Sequence, residues 1–194
     1  QSQDLKWQEG SICYTEIGNG CKIREYVTVH AGTDHGTKTI VGNNCALLAL
    51  SHVGHNCEVG NDVVLSHNAT LGGHVIVDDH ANIGGLSAVH QFVRIGRNAM
   101  VAGMARVIQD ILPFTIAEGT PAAMRIINKI GMERSGFDSN ARSLAQKAFR
   151  ILFKQDLILD DAVAKIKSEL DDHEVIKLIL DHIEKSERGL ARPN

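Results

Sequence analysis

His52 and His55 stand three residues apart in "LALSHVGHNCEVG", residues 48–60, a stretch of valines, glycines and small residues without helical character. Imidazole titrates near neutral pH, so it can take a proton from a hydroxyl, and it is also a common metal ligand. The pair therefore admits acid–base catalysis or a metal centre. His30, His74 and His90 are further candidates, whereas His35, His67, His80, His173 and His182 read as surface or packing residues. The spacing of the elements that carry these rings decides between the two chemistries.

Those elements follow a six-residue rule. Stepping by six from Val41 gives Leu47, Val53, Val59, Leu65, Leu71, Val77, Ile83, Val89, Ile95, Val101 and Val107, all aliphatic. The next residue is often glycine, as in Gly42, Gly54, Gly60, Gly72, Gly84 and Gly96, which suits a corner. The fourth residue after the aliphatic is small or β-branched, as in Cys45, Ser51, Cys57, Val63 and Ala69. No 3.6-residue period produces this; it is a hexapeptide signature of a parallel β-helix, with three hexads to each triangular coil. The class is mainly β: a left-handed parallel β-helix followed by a small C-terminal α-helical domain. The division falls at 1–118 and 119–194.

Two stretches leave the repeat. The polar segment "HAGTDHGTKTI", residues 30–40, reads as one surplus six-residue unit extruded as a loop, and residues 1–14 as another excursion. After Pro113 the repeat dissolves, and from about Pro121 the apolar spacing turns helical. "FDSNARSLAQKAFRILFKQ" has an Asp/Ser cap before an amphipathic run, and the last helix finds a stop at Gly189.

With the surplus unit removed, Val29 stacks beneath Val53, Leu71 and Val89. His30, His55, His74 and His90 then lie along one corner, with His52 just around the bend. Stacked rungs place successive side chains ~4.8 Å apart, whereas a zinc site needs ligands converging to ~2 Å. A ladder suits an extended substrate with one catalytic member, so acid–base chemistry is the expectation and no metal is. A metal-dependent prism of carbonic-anhydrase type is the competing reading. Cys21 and Cys45 fall in one column as packed thiols. The four cysteines lack metal-ligand spacing and read as reduced, as in the cytoplasm.

"QDLKW", "IREYVTVHAGT", "SHVGHNC", "NATLGGHV", "GGLSAVHQF", "VIQDILPFTIAEGTPA" and "GMERSGF" together resemble the bacterial acyl-[acyl-carrier-protein]–UDP-N-acetylglucosamine O-acyltransferases. The resemblance implies transfer of a 3-hydroxyacyl chain to the sugar 3-hydroxyl, the first step of lipid A biosynthesis. It implies His55 as the base and the Gly73 N–H as oxyanion donor. It implies Asp4, Lys6, His30, His52, His74, His90, Gln91, Asn128 and Arg134 as substrate contacts, and Gly103 as a gauge of acyl length. It also implies a homotrimer with sites between neighbours, further coils ahead of Gln1, and no cofactor beyond the phosphopantetheine of the carrier protein. Two positions depart from the family pattern: Asn56 follows the base where Asp is common, and Ile130 stands where an acidic nucleotide contact is common. An amide can still orient the ring but supplies no charge, which leaves a catalytically silent scaffold as a further alternative. Whether the acceptor is a hydroxyl or the amine of a 3-amino sugar stays open.

Charge fits that partner. The chain carries net −3, which gives a nucleic acid no evident reason to bind. No apolar run approaches the ~20 residues of a membrane span. Yet residues 121–154 hold Arg125, Lys129, Arg134, Arg142, Lys147, Arg150 and Lys154 against only Glu133 and Asp138. An acidic carrier protein would be steered to such a patch.

Overall fold

Aliphatic side chains every sixth residue can all turn inward only if the chain bends three times per 18 residues. The computed structural model, which describes residues 2–193, has that form. Seventeen strands, numbered along the chain, stack into three faces of a prism. The first face holds β1 (Tyr14–Ile17), β4 (Lys38–Val41), β7 (Glu58–Val59), β10 (Ile76–Val77) and β13 (Arg94–Ile95). The third holds β3 (Thr28–Val29), β6 (His52–Val53), β9 (Thr70–Leu71), β12 (Ala88–Val89) and β15 (Arg106–Val107). The second runs β2 (Lys22–Ile23), β5 (Ala46–Leu47), β8 (Val64–Leu65), β11 (Asn82–Ile83), β14 (Met100–Val101), β16 (Thr115–Glu118) and β17 (Ala123–Ile127).

The pairing is parallel and in register, Val53 on Leu71 and Leu71 on Val89. Below the polar loop the offset is 24 residues, Val29 on Val53 and Ile23 on Leu47, so the segment after β3 does contain one surplus hexad. Leu47, Leu65, Leu71, Ile83 and Ile95 are fully buried. Each such side chain contributes ~1.5–3 kcal/mol of transfer free energy. The small fourth position has a second use: Cys45 Sγ, Cys57 Sγ and Ser87 Oγ donate to carbonyls of the next coil, those of Gly60, Gly72 and Ala102, at 3.1, 3.0 and 2.9 Å. All four cysteines are free, and burial raises Cys45 to about 11 and Cys57 to about 12.

The glycines after the aliphatic residue are there for close approach rather than for conformation. A Cβ on Gly42, Gly54 or Gly84 would overlap the backbone of the coil above. Positive φ is found two residues later, at Asn44, Leu50, Asn56, Asp62, Asn68, His74, His80, Leu86, Phe92, Asn98 and Met104, one residue per corner.

The helical part begins later than the apolar spacing suggests. After Pro121 comes β17, antiparallel on β16, which itself extends the second face with Ile116 beside Met100. Met124 and Ile127 are buried while Arg125 and Ile126 are exposed, so the 3–4 spacing here belongs to a bulged strand. The helices are α1 (Lys129–Arg134), α2 (Ser139–Phe153), α3 (Leu159–Glu169) and α4 (Glu174–Glu184). Asp138 caps α2, accepting from the Ala141 N–H at 2.7 Å. α4 stops at Glu184, not at Gly189. Gly189 instead has φ +70° and accepts from the Asp110 N–H, while buried Asp110 accepts from Ser186 Oγ at 2.6 Å, fastening the tail to the prism. Among the described residues no helix is long and apolar enough to cross a membrane.

Candidate active site

The corner between the third and first faces differs from the others in what it leaves unpaired. At the corner leading to the second face, Asn43, Asn61 and Asp79 each accept a backbone N–H from the coil below. The equivalent position at the third-to-first corner is His55 in one coil and Gly73 in the next. Among the described residues the Gly73 N–H has no acceptor. The glycine is required by its neighbour: a Cβ there would overlap the His55 ring at Nε2.

His55 is held at its other nitrogen. Asn56 Oδ1 and Thr33 Oγ1 each lie 3.0 Å from Nδ1. Asn56 Oδ1 also accepts from the Thr33 N–H at 3.0 Å, so the amide oxygen faces the ring and Nδ1 carries the proton. Nε2 keeps its lone pair, 3.9 Å from Asp4 Oδ2. It borders a groove of about 320 Å³ lined by Gln3, Asp4, Leu5, His52, His55, Thr70, Leu71, Gly72 and Gly73. A hydrogen bond from the Lys6 N–H, aided by His55, draws the Asp4 carboxyl below its usual range.

The histidines form two groups rather than one column. His30 and His52 lie with ring centroids 5.3 Å apart. His52 Nε2 is 2.9 Å from Gln3 Oε1 and Nδ1 2.7 Å from Thr28 Oγ1. His74 meets His55 edge-on at 5.1 Å and stacks on Phe92 at 4.7 Å. Burial first, then the facing ring, lowers the pKa of His52 (facing His30) and of His74 (facing His55). His90 is exposed, its Nδ1 3.1 Å from the Gln91 carbonyl, and neither lines the groove. Among the described residues no group of three His, Cys, Asp or Glu could hold a metal ion.

Other expected residues lie elsewhere in the chain. Lys6 is exposed outside the groove lining, and Gly103 sits at the second-to-third corner, above Gly85. Asn128 caps α1, accepting from the Gly131 N–H and donating to the Asn98 carbonyl, and Arg134 is exposed at the end of that helix. Residue types alone did not single out Thr33, Gln3, Thr28 or Phe92. The available signal for Thr33 was its place at the end of "VHAGT", in the loop that breaks the repeat. The remaining histidines are structural or peripheral: His173 caps α4 and His182 is buried against Asp78 at 3.8 Å.

Comparison with known proteins places the chain among sugar-nucleotide acyltransferases of the hexapeptide type. The family model described as UDP N-acetylglucosamine O-acyltransferase, domain 2, matches residues 110–191, and the bacterial transferase hexapeptide model matches 38–73. The acyl-[acyl-carrier-protein]–UDP-N-acetylglucosamine O-acyltransferase of Aquifex aeolicus is 52% identical over 192 residues, covering 98% of this chain and 73% of the relative. That of Gloeothece citriformis is 41% identical over 168 residues, and the chain spans 60% of its length. The solved UDP-N-acetylglucosamine acyltransferase of Bacteroides fragilis superposes with TM-score 0.95 at 37% identity, over 98% of this chain and 74% of that one.

Proposed function

The chain belongs to the UDP-N-acetylglucosamine O-acyltransferase family, and on that premise we propose that it moves a 3-hydroxyacyl chain from acyl carrier protein to the 3-hydroxyl of UDP-N-acetylglucosamine, opening lipid A biosynthesis in the cytoplasm. The observation that carries this reading is the pairing of a tethered imidazole with a free backbone N–H: Nδ1 of His55 is held, Nε2 faces the groove, and Gly73 lies against it. His55 Nε2 takes the proton of the sugar hydroxyl as that oxygen attacks the thioester carbonyl. The new oxyanion accepts from the Gly73 N–H, a preorganised donor of a kind typically worth ~3 kcal/mol. Collapse expels the phosphopantetheine thiolate, and the imidazolium returns the proton to sulfur. No further cofactor enters.

Asp4, Lys6, His30, His52, His74, His90 and Gln91 contact substrate, and Asn128 and Arg134 hold the nucleotide end. Those last two lie on the helical part, away from the His55 groove of their own chain, so a neighbouring copy completes each site in a homotrimer. The second-to-third corner supports such a contact: Leu50, Leu86 and Met104 are 51%, 63% and 73% exposed there. The carrier protein docks on the basic helical surface, where Lys129, Arg134, Lys147, Arg150 and Lys154 are exposed. Among the described residues none of these five pairs with a carboxylate.

Replacement of His55 by alanine tests the reading, with turnover of 3-hydroxyacyl carrier protein and UDP-N-acetylglucosamine as the measurement. A general base contributes ~10²–10⁴-fold, so kcat falls at least a hundredfold with the fold intact. A folded variant with near-normal kcat removes His55 from this role.

A further inference from the structure

The extruded loop after β3 contributes one residue that touches both the base and its orienting amide. Thr33 is 5% exposed and makes four polar contacts around the groove. Its N–H donates to Asn56 Oδ1 at 3.0 Å. Its Oγ1 lies 3.0 Å from His55 Nδ1, 3.1 Å from Ser2 Oγ and 3.4 Å from Asp4 Oδ2. We propose that Thr33 is the positioning residue of this site: its hydroxyl and its N–H together fix the proton of His55 on Nδ1 and so keep the lone pair of Nε2 aimed at the acceptor hydroxyl.

Proton bookkeeping at the ring gives the reason. Asn56 Oδ1 already receives the Thr33 N–H, so only its acceptor side faces Nδ1. A lone pair on Nδ1 would oppose that oxygen at 3.0 Å, and Nδ1 must therefore bear hydrogen. That hydrogen lies between two acceptors, the Asn56 amide and the Thr33 hydroxyl. The hydroxyl's own proton is then free for Asp4 Oδ2 or Ser2 Oγ. One hydrogen-bonded path thus joins the Asp4 carboxylate to the imidazole through Thr33. Asn56 carries no charge, so when His55 becomes imidazolium the carboxylate that answers it is Asp4, by way of Thr33 and by its own 3.9 Å approach to Nε2. The loop that interrupts the repeat brings Thr33 to the ring, and the N-terminal excursion brings Asp4. The loop is held in turn by Cys13 Sγ, which donates to the Thr33 carbonyl at 3.4 Å, and by Thr37 Oγ1, which donates to the Asp34 carbonyl at 2.6 Å.

The proposal rests on His55 acting as the base, and its test separates the two. Thr33→Val keeps the shape and the backbone N–H but removes the hydroxyl; Thr33→Ser keeps the hydroxyl. Loss of one neutral hydrogen bond from the positioned base corresponds to ~5–10-fold in rate, so Thr33→Val lowers kcat by that factor while KM for UDP-N-acetylglucosamine stays within about twofold on the same reasoning. Thr33→Ser restores most of kcat. The ¹⁵N spectrum of the His55 ring supplies a readout independent of turnover: the Nδ1–H tautomer dominates in the parent and loses population in Thr33→Val. An unchanged ring spectrum in Thr33→Val overturns the proposal, as does a loss confined to KM or a serine variant as slow as the valine one. If His55→Ala keeps near-normal kcat, the assignment of His55 as the base fails, and the ring spectrum of the parent and of Thr33→Val still decides whether Thr33 sets the tautomer.

Discussion

In His52 and His74 burial works against the charged ring, and in each a neighbouring imidazole adds to the effect. Both fold with a pKa below the ordinary 6.5. Above that value folded and unfolded rings are alike neutral, and the whole stability is present. As pH falls below it the unfolded chain binds protons first, so stability is lost from about pH 6.5 downward, toward the lowered folded values. Asp4 acts with the opposite group type and lower down, its contribution being lost only as pH falls below the ordinary carboxylate value of 3.8. Thermal unfolding between pH 7 and pH 5 should therefore show a falling midpoint, flatter in a His52→Gln/His74→Asn variant; equal slopes would refute the linkage. At this scale the hexad spacing put His55 at a corner among several histidines, and it was the family resemblance, not the spacing, that singled out His55 and Gly73. Thr33 was not legible. It lies in the unit that leaves the repeat, where no column arithmetic applies, and its partners come from residues 2, 4, 55 and 56.

The corners show what the strands alone do not. The backbone takes a left-handed conformation once per corner, which glycine, Asn and Asp tolerate best. The corner between the first and second faces obeys: Gly20, Asn44, Asp62, His80 and Asn98. The corner between the second and third does not, with Tyr26, Leu50, Leu86 and Met104 around a single Asn68. Large apolar side chains there are both exposed and conformationally disfavoured, by roughly 1 kcal/mol each. A neighbouring chain that buries them would offset that cost. Leu86→Asn with Met104→Asn relaxes the backbone but removes the apolar contact, so sedimentation should show a mass falling from three chains toward one while the far-ultraviolet signal of the prism persists. A parent already at one chain, or a variant still at three, would argue against this corner as the subunit contact. The hexad spacing anticipated the strands and the core, since inward residues recur without exception from Val41 to Val107. It placed the glycines at the corners, and the structure adds the partner they make room for, the backbone of the coil above. It also read β17 as helix, because the bulge at Ile116 and Ala117 gives a strand helix-like spacing.

As a whole, the chain of net −3 carries one basic segment, residues 121–154, followed by an acidic one, residues 155–188. That asymmetry was readable from sequence, because charge needs no register. The separation of Asn128, Arg134 and Gly103 from the His55 groove was not, because motif resemblance gives residue types and not the distances between them. The stack also carries graduations. One coil rises ~4.8 Å, and an extended alkyl chain built from bonds of ~1.5 Å advances roughly 1.25 Å per carbon, so each coil marks about four methylenes along an acyl tail lying parallel to the axis. Gly103 and Gly85 are adjacent marks on one edge, for a Cβ on Gly103 would lie 3.2 Å from the Gly85 carbonyl oxygen. If the tail runs along this edge, a methionine at either mark blocks it one coil apart. The kcat/KM optima of Gly103→Met and Gly85→Met across a series of 3-hydroxyacyl carrier proteins should consequently differ by about four carbons. Coincident optima would mean that this edge does not measure the chain. Optima about four carbons apart would mean that a repeat of fixed pitch sets acyl selectivity in coarse steps, with single-carbon resolution left to the side chain that stands at the mark.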